Sequence, residues 1–311
     1  MKKALLLVNF GGPRSTEEVA SFLRELLLDE ELLRTPLPSF LHRFLFTRIA
    51  NYRARKVAKD YEEIGGHSPI YFDTEAIALF LAEHLQQEVI SFHRYLPETH
   101  AETLERIEHC TAEEIVVFPF FPQFCSGTTG SAVTFFSKHL SSEQLAKLRW
   151  IHSYADHPAF IRCYKERIAA LLAKEKLLEE ESILLFSAHG VPRSFILKGD
   201  PYEKQCHASF NACKHFFPKA TSLLAYQSKF GPGRWLTPST QELCQNLPKG
   251  NKKALLFVPI SFTSDHIETL FEVEKLYLPI VKEQGLAAFR CPSLNCSSDW
   301  MEAIIEILYP K

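Results

Sequence analysis

Apolar residues along this chain gather into short strand-like runs, separated by stretches in which they recur every three or four positions. The runs occupy 3–9, 87–92, 114–120, 148–152, 182–187, 221–226, 253–260 and 286–290. Runs of this length are what strands covered on both faces require. The stretches between them read as amphipathic helices. In 15–29, Val19, Phe22, Leu23, Leu26 and Leu27 share a face, and Ser15 with Glu18 has the spacing of a capping box. Another helix opens at Asp200-Pro201, with Glu203 in its first turn. Strand and helix alternating in this way predict parallel sheets with helices on both sides.

Eight strands are many for one sheet, and the pattern repeats. LLLVNFGG (5–12) returns as ILLFSAHG (183–190), after a helix ending in the charged run KEKLLEEE (174–181). The expected architecture is α/β, with two similar doubly wound, Rossmann-like halves facing one cleft. The boundary falls within 150–180, giving halves 1–155 and 156–311, with the last helix free to pack back on the first half. In such sheets ligands collect at the carboxyl ends of strands. Those ends are 9–12, 121–130, 189, 227–234 and 261–268.

Composition narrows the class. The 311 residues are 46% hydrophobic and 23% charged, with a net charge of −2, which excludes an electrostatic grip on nucleic acid. MKKALLLVNFGGP starts like a signal peptide, but its apolar stretch runs only from Ala4 to Phe10 and ends in Gly-Gly-Pro. It reads as a first buried strand. No run approaches the roughly 20 apolar residues of a membrane-spanning helix, so a cytoplasmic protein is expected. Eight cysteines are scattered without a CxxC pair, the nearest two being Cys291 and Cys296, which favours reduced thiols over zinc or iron–sulfur ligation.

Two stretches carry chemistry. In ILLFSAHGVPRSF (183–195) a buried run ends on His189 against Gly190, an unusual way to end a strand that only fills a core. In VPISFTSDHIETLFEVEKLY (258–277), Ser264 or Asp265 can cap a helix. At 100° per residue, Asp265, Glu268 and Glu272 then lie within roughly 60° of one another. Ile267, Leu270 and Phe271 point to the core, and Glu274 falls opposite the acidic stripe. Carboxylates near a helix start are also what a solvated face carries. A divalent cation would find the same oxygens attractive, with His189 adding an imidazole that iron accepts. YQSKFGPGRWLTPST (226–240) reads as a long turn with Trp235 at its edge. FPFFPQFCSGTTGSA (118–132) sets four phenylalanines beside a small-residue segment. Asn9-Phe10-Gly11-Gly12-Pro13 lacks the GxGxxG of a dinucleotide site, and Gly66-His67-Ser68 lacks the closing glycine of a nucleophile elbow.

In order, the segments NFGGP (9–13), YEEIGGHSPI (61–70), FPQFCSGTTG (121–130), LFSAHGVP (185–192), KGDPY (198–202), YQSKFGPGRWL (226–236), PISFTSDHIETLFE (259–272) and SLNC (293–296) resemble the ferrochelatase family. SAHG together with SDHIETL is the most specific part. The resemblance implies two Rossmann-like halves around a porphyrin cleft and insertion of Fe²⁺ into protoporphyrin IX, the last step of haem formation. It implies His189 as iron ligand, pyrrole base or both, Glu268 as its carboxylate partner, and His266 in support. Asp265 and Glu272 would extend an acidic path. Arg94 and Ser68 would meet the porphyrin's carboxylate edge or shape the mouth. Phe10, Phe121, Thr128 and Trp235 would contact the ring, with Phe121 standing where relatives often have tyrosine. The NFGGP form favours protoporphyrin over coproporphyrin III. Alternatives are a coproporphyrin ferrochelatase, a cobalt or nickel tetrapyrrole chelatase, and a non-catalytic porphyrin or haem carrier.

Iron is a substrate here, and no tightly bound cofactor is expected. The chain ends at Lys311 without the cysteine-rich extension of animal members, so neither a [2Fe–2S] cluster nor a dimer is implied. Leu276 stands where relatives often continue the carboxylate line, which argues against a secondary surface metal site. Segment 35–50, apolar with His42, Arg43 and Arg48, reads as a core helix or as a lip touching a membrane peripherally.

Overall fold

The computed structural model describes residues 2–33, 35, 37–229, 231 and 233–310. Pro36 and Pro232 of the segments above lie outside the described residues. The chain divides between His152 and Ser153 into two compact units. The first contains β1 (Lys3–Asn9), β2 (Glu88–His93), β3 (Glu114–Pro119) and β4 (Leu148–Trp150), in the spatial order β2-β1-β3-β4. The second contains β5 (Ser182–His189), β6 (Thr221–Gln227), β7 (Ala254–Val258) and β8 (Ala287–Arg290), in the order β6-β5-β7-β8. Every pairing is parallel. Leu6 sits opposite Ile90 and Val117, and Leu185 opposite Leu223 and Phe257. The two sheets thus share one topology.

Burial explains why the central apolar runs are unbroken. Ala4 to Val8 in β1 and Ile183 to Phe186 in β5 are fully buried, because central parallel strands carry helices on both faces. β7 stops at Val258 because Pro259 has no N–H to give the ladder. The helix Val19–Leu28 buries Val19, Phe22, Leu23 and Leu27 as its periodicity predicts. Its capping box does not form. The Glu18 carboxylate instead accepts from the N–H (2.8 Å) and guanidinium of Arg14, a charge-assisted partner stronger than a neutral backbone group. The helix Tyr202–Lys214 starts where Asp200 Oδ1 accepts the Tyr202 N–H at 3.0 Å.

Segment 35–50 is not a core helix. From Ser39 on it forms the start of a helix, Ser39–Glu62, that leaves Phe40 71% and Phe44 64% exposed. The last helix, Ser298–Leu308, packs against Pro158–Lys174 within the second unit. In each sheet the chain fills one side of its first strand and then crosses to the other. The switch points therefore fall between β1 and β3 and between β5 and β7, the places where ligands gather in open parallel sheets.

Candidate active site

His189 is the last residue of β5 and still pairs with Gln227 of β6. Its backbone is pinned on both sides: the N–H donates to Ser261 Oγ (2.9 Å), and the carbonyl accepts from the Tyr202 hydroxyl (2.9 Å). Gly190 follows because its N–H donates to the Gln227 carbonyl at 2.8 Å, leaving no room beside it. A Cβ on residue 190 would lie 2.7 Å from that same oxygen. The strand therefore ends on a histidine whose main chain cannot drift. Its ring Nδ1 lies 2.8 Å from Glu268 Oε2.

Glu268 comes from the far side of the switch point, after β7. The loop leading to it is tied down by Tyr164, whose hydroxyl is 2.8 Å from the Pro259 carbonyl and 2.7 Å from that of Phe262. The Phe262 ring then packs against His266, with centroids 4.7 Å apart. Neither Ser264 nor Asp265 caps the helix. Thr269 does so from inside, its Oγ1 accepting the His266 N–H at 2.9 Å.

The helix itself, Glu268–Tyr277, is a π-helix with i→i+5 hydrogen bonds, a rare form that recurs at functional sites. Its wider turn moves the buried face to Thr269, Val273 and Tyr277. Ile267, Leu270 and Phe271, expected in the core, are only half-buried. The same geometry breaks the predicted three-carboxylate stripe. Glu268 faces His189, and Glu272 Oε2 accepts from Ser228 Oγ at 2.6 Å. Asp265 precedes the helix and turns elsewhere, accepting from Arg290 (2.6 Å), Thr269 (2.9 Å) and Asn295 (3.0 Å).

His189, Glu268, Glu272 and His266 are thus brought together. His266 Nε2 is 3.8 Å from Glu268 Oε2. Gln227 braces the group by donating to the Glu268 carbonyl (3.0 Å) while accepting from Ser187 (2.6 Å). Burial opposes the charged imidazole of His189, but the Glu268 carboxylate outweighs it and raises the pKa. Burial likewise opposes the Glu268 anion, and the His189 cation outweighs it, holding this carboxyl below its usual range. At Glu272 the same imidazoles and the Ser228 hydroxyl pull down too weakly to prevail. Burial and the neighbouring Glu268 charge lift it to about 7. Among the described residues, no three His, Cys, Asp or Glu side chains converge as a ready-made metal cage.

The remaining predicted site residues have varied surroundings. Trp235 bridges to Pro192 beside Gly190, with its indole N–H buried and unpartnered. Phe10 meets Tyr95 edge-on at 4.5 Å. Phe121 is half-buried on the first unit's core, and Thr128 sits in a short π-helical segment, Ser126–Gly130. Ser68 is buried, occupying the space that Gly12 leaves open. Arg94 does not present a free guanidinium. It is buried against Asp29 (3.1 Å), Glu25 (3.1 Å) and Ser131 (2.8 Å), as a desolvated charge requires. Sequence reasoning missed Tyr164, and it flagged Tyr202, Gln227, Ser228 and Ser261 only as parts of segments, without their partners. Ser228 carried no sequence signal for its left-handed backbone (φ 61°), which aims its hydroxyl at Glu272.

The two four-stranded parallel sheets, one of them carrying a histidine–carboxylate pair at its switch point, give this chain the fold of solved α/β chelatases. The fold matches CbiX, the terminal enzyme of sirohaem biosynthesis in denitrifying bacteria (TM-score 0.53, 12% identity, 99% of this chain and 98% of that one). It also matches SirB from Bacillus subtilis with Fe³⁺ (TM-score 0.58, 12% identity, 99% and 94%). Sequence goes further. Residues 2–310 match the ferrochelatase family. The ferrochelatase of Chlamydia abortus is 46% identical over 308 residues, 99% of this chain and 96% of that protein. That of Chlamydia trachomatis serovar D is 45% identical over 303 residues, 97% and 94%. The chain belongs to the ferrochelatase family and is a metal chelatase of the lyase class.

Proposed function

We propose that this enzyme inserts Fe²⁺ into protoporphyrin IX to give protohaem, the terminal step of haem biosynthesis. The observation that carries the reading is the 2.8 Å bond between His189 Nδ1 and Glu268 Oε2. A free-base porphyrin must give up two pyrrole protons as the cation enters, and those N–H groups are very weak acids, so a positioned base is needed. Once the imidazolium has released its Nε2 proton, Nδ1–H stays directed at the carboxylate and the lone pair lies on Nε2. That lone pair takes a pyrrole proton or serves as the first ligand of the incoming iron. Glu268 stabilises the imidazolium that results and shares the metal-binding role, with His266 in support. Glu272, titrating at about 7, takes up and releases protons at neutral pH and extends the path outward. Asp265 is left out of that path, since Arg290, Thr269 and Asn295 occupy its oxygens.

Iron and porphyrin are both substrates in this reading. Ring contacts by Phe10, Phe121, Thr128 and Trp235, and the choice of protoporphyrin through the NFGGP form, rest on the family resemblance. Ser68 shapes the mouth by holding NFGGP against GGHSP, its N–H donating to the Pro13 carbonyl at 2.8 Å. Arg94 acts from behind, through Asp29. Segment 35–50 makes a peripheral membrane contact in this proposal, supported by exposed Phe40, Leu41, Phe44 and Leu45 beside Arg43 and Arg48.

The test is anaerobic metallation of protoporphyrin IX and, separately, coproporphyrin III, followed by loss of free-base absorbance. Faster insertion into protoporphyrin IX is the expected result. Preference for coproporphyrin III would overturn the substrate, and binding of either ring without metallation would overturn the activity.

A further inference from the structure

Arg290 ends β8 and has no part in the proton path, yet its guanidinium joins the carboxylate-bearing helix to the loop that precedes it. One nitrogen donates to Asp265 Oδ1 at 2.6 Å, and Nε donates to Glu274 Oε1 at 2.8 Å. The side chain is 13% exposed and Asp265 only 9%, so the first contact is largely dry. Asp265 cannot follow the helix if it turns, because Asn295, Thr269 and the Ser293 N–H (3.4 Å) hold it as well. Asp265 and Glu274 are nine residues apart in the sequence. Asp265 stands in the loop before the helix, whereas Glu274 lies six residues beyond its first residue, Glu268. Six residues make about 1.7 turns of α-helix but only about 1.4 turns of the wider i→i+5 helix, so the side on which Glu274 emerges relative to the fixed Asp265 depends on the register.

We infer that Arg290 is a positioning residue that selects the π-helical register of 268–277 by bridging Asp265 to Glu274. The register matters for the two reactive carboxylates. Four residues overshoot one turn of an α-helix but fall short of one turn here, so a change of register swings Glu272 across the line from Glu268. The wide register lets Glu268 meet His189 while Glu272 meets Ser228. The functional half of this inference rests on the proposed chelatase chemistry; the structural half does not.

The test uses the full-length variants Arg290→Met, Arg290→Lys and Glu274→Gln, with two readouts. The first is a crystal structure of each variant. Arg290→Met and Glu274→Gln are expected to lose the i→i+5 ladder, with Glu272 leaving Ser228; Arg290→Lys, unable to reach both carboxylates, is expected to do the same. An unchanged ladder in all three overturns the inference whatever the activity. The second is steady-state metallation beside porphyrin binding by fluorescence. Misplacement of a catalytic group by an ångström costs about a hundredfold, so kcat is expected to fall by up to that factor in Arg290→Met while porphyrin affinity holds. A kcat within twofold of wild type in Arg290→Met and Glu274→Gln would remove the positioning role. Glu274 is half-exposed, so its variant tests the bridge even where Arg290→Met fails to fold. A wild-type protein that metallates no porphyrin would sink the function reading instead, leaving the register to be judged from the structures alone.

Discussion

At Glu268 one carboxylate oxygen meets two imidazoles, His189 at 2.8 Å and His266 at 3.8 Å. Removing its charge while keeping its shape separates chemistry from binding. Glu268→Gln is expected to lower turnover by about 10²- to 10⁴-fold, as loss of a general acid–base partner does, with porphyrin affinity unchanged in a fluorescence titration. Turnover near wild type would return the carboxylate to a packing role. Gly190 supports the same pair from the backbone. Gly190→Ala drives a methyl group against the Gln227 carbonyl, so about 1–3 kcal/mol of stability should be lost in a urea titration. Metallation should slow with it, because Gln227 also holds the Glu268 carbonyl. At this scale the sequence was informative about which residues matter and poor at their partners. His189 and Glu268 stood out because a strand seldom ends on a histidine without cause. Asp265 misled, because the helix assumed to carry it starts only after it, and Arg290 and Asn295 hold it in the preceding loop. Arg94 misled too, because its partners Asp29 and Glu25 are remote in sequence.

Among the elements, the eight strands were readable from their apolar runs, most plainly the central β1 and β5, which are covered on both faces. The π-helix was not, because no residue pattern distinguishes it from an α-helix over ten residues. Element-to-element stitching was also hidden. Arg167, on the helix Pro158–Lys174, donates to Asp299 Oδ2 (2.6 Å), to the carbonyls of Ser293 and Leu294, and to Ser297. It thereby secures the loop whose Asn295 holds Asp265. Burial raises the Asp299 pKa, but the Arg167 and Ser297 contacts outweigh it, so the folded value is lowered. A depressed carboxyl stabilises the fold above its unfolded pKa, and that contribution disappears as pH falls through the folded value. Urea midpoints for wild type should therefore decline on the acid side of the ordinary aspartate range. Asp299→Asn should be less stable at neutral pH, with a flatter acid limb. Parallel curves for the two proteins would count against the pairing.

For the molecule as a whole, the segment that sequence alone left between core and surface is resolved by exposure. Between Ser39 and Lys59 the long helix carries six lysines and arginines and no acid, beside its exposed Phe40 and Phe44. Apolar contact and attraction to anionic lipid add in such a helix. Co-sedimentation with phosphatidylserine-containing vesicles should be strong at low salt and should fall in a Phe40→Ser/Phe44→Ser variant, with metallation of detergent-solubilised porphyrin unaffected. Equal sedimentation of variant and wild type would remove the membrane from the picture. No described helix is long and apolar enough to cross one.

The repeated strand order has a consequence for how the chain is made. β1 to β4 pair only with one another, and all four lie before His152. Their ladder is complete in the nascent polypeptide before any residue of β5 has been joined. At about 5–20 residues per second, the ribosome needs on the order of 10–30 s more to finish the second unit. The amino-terminal sheet can use that interval to fold, with no strand left waiting for a partner not yet translated.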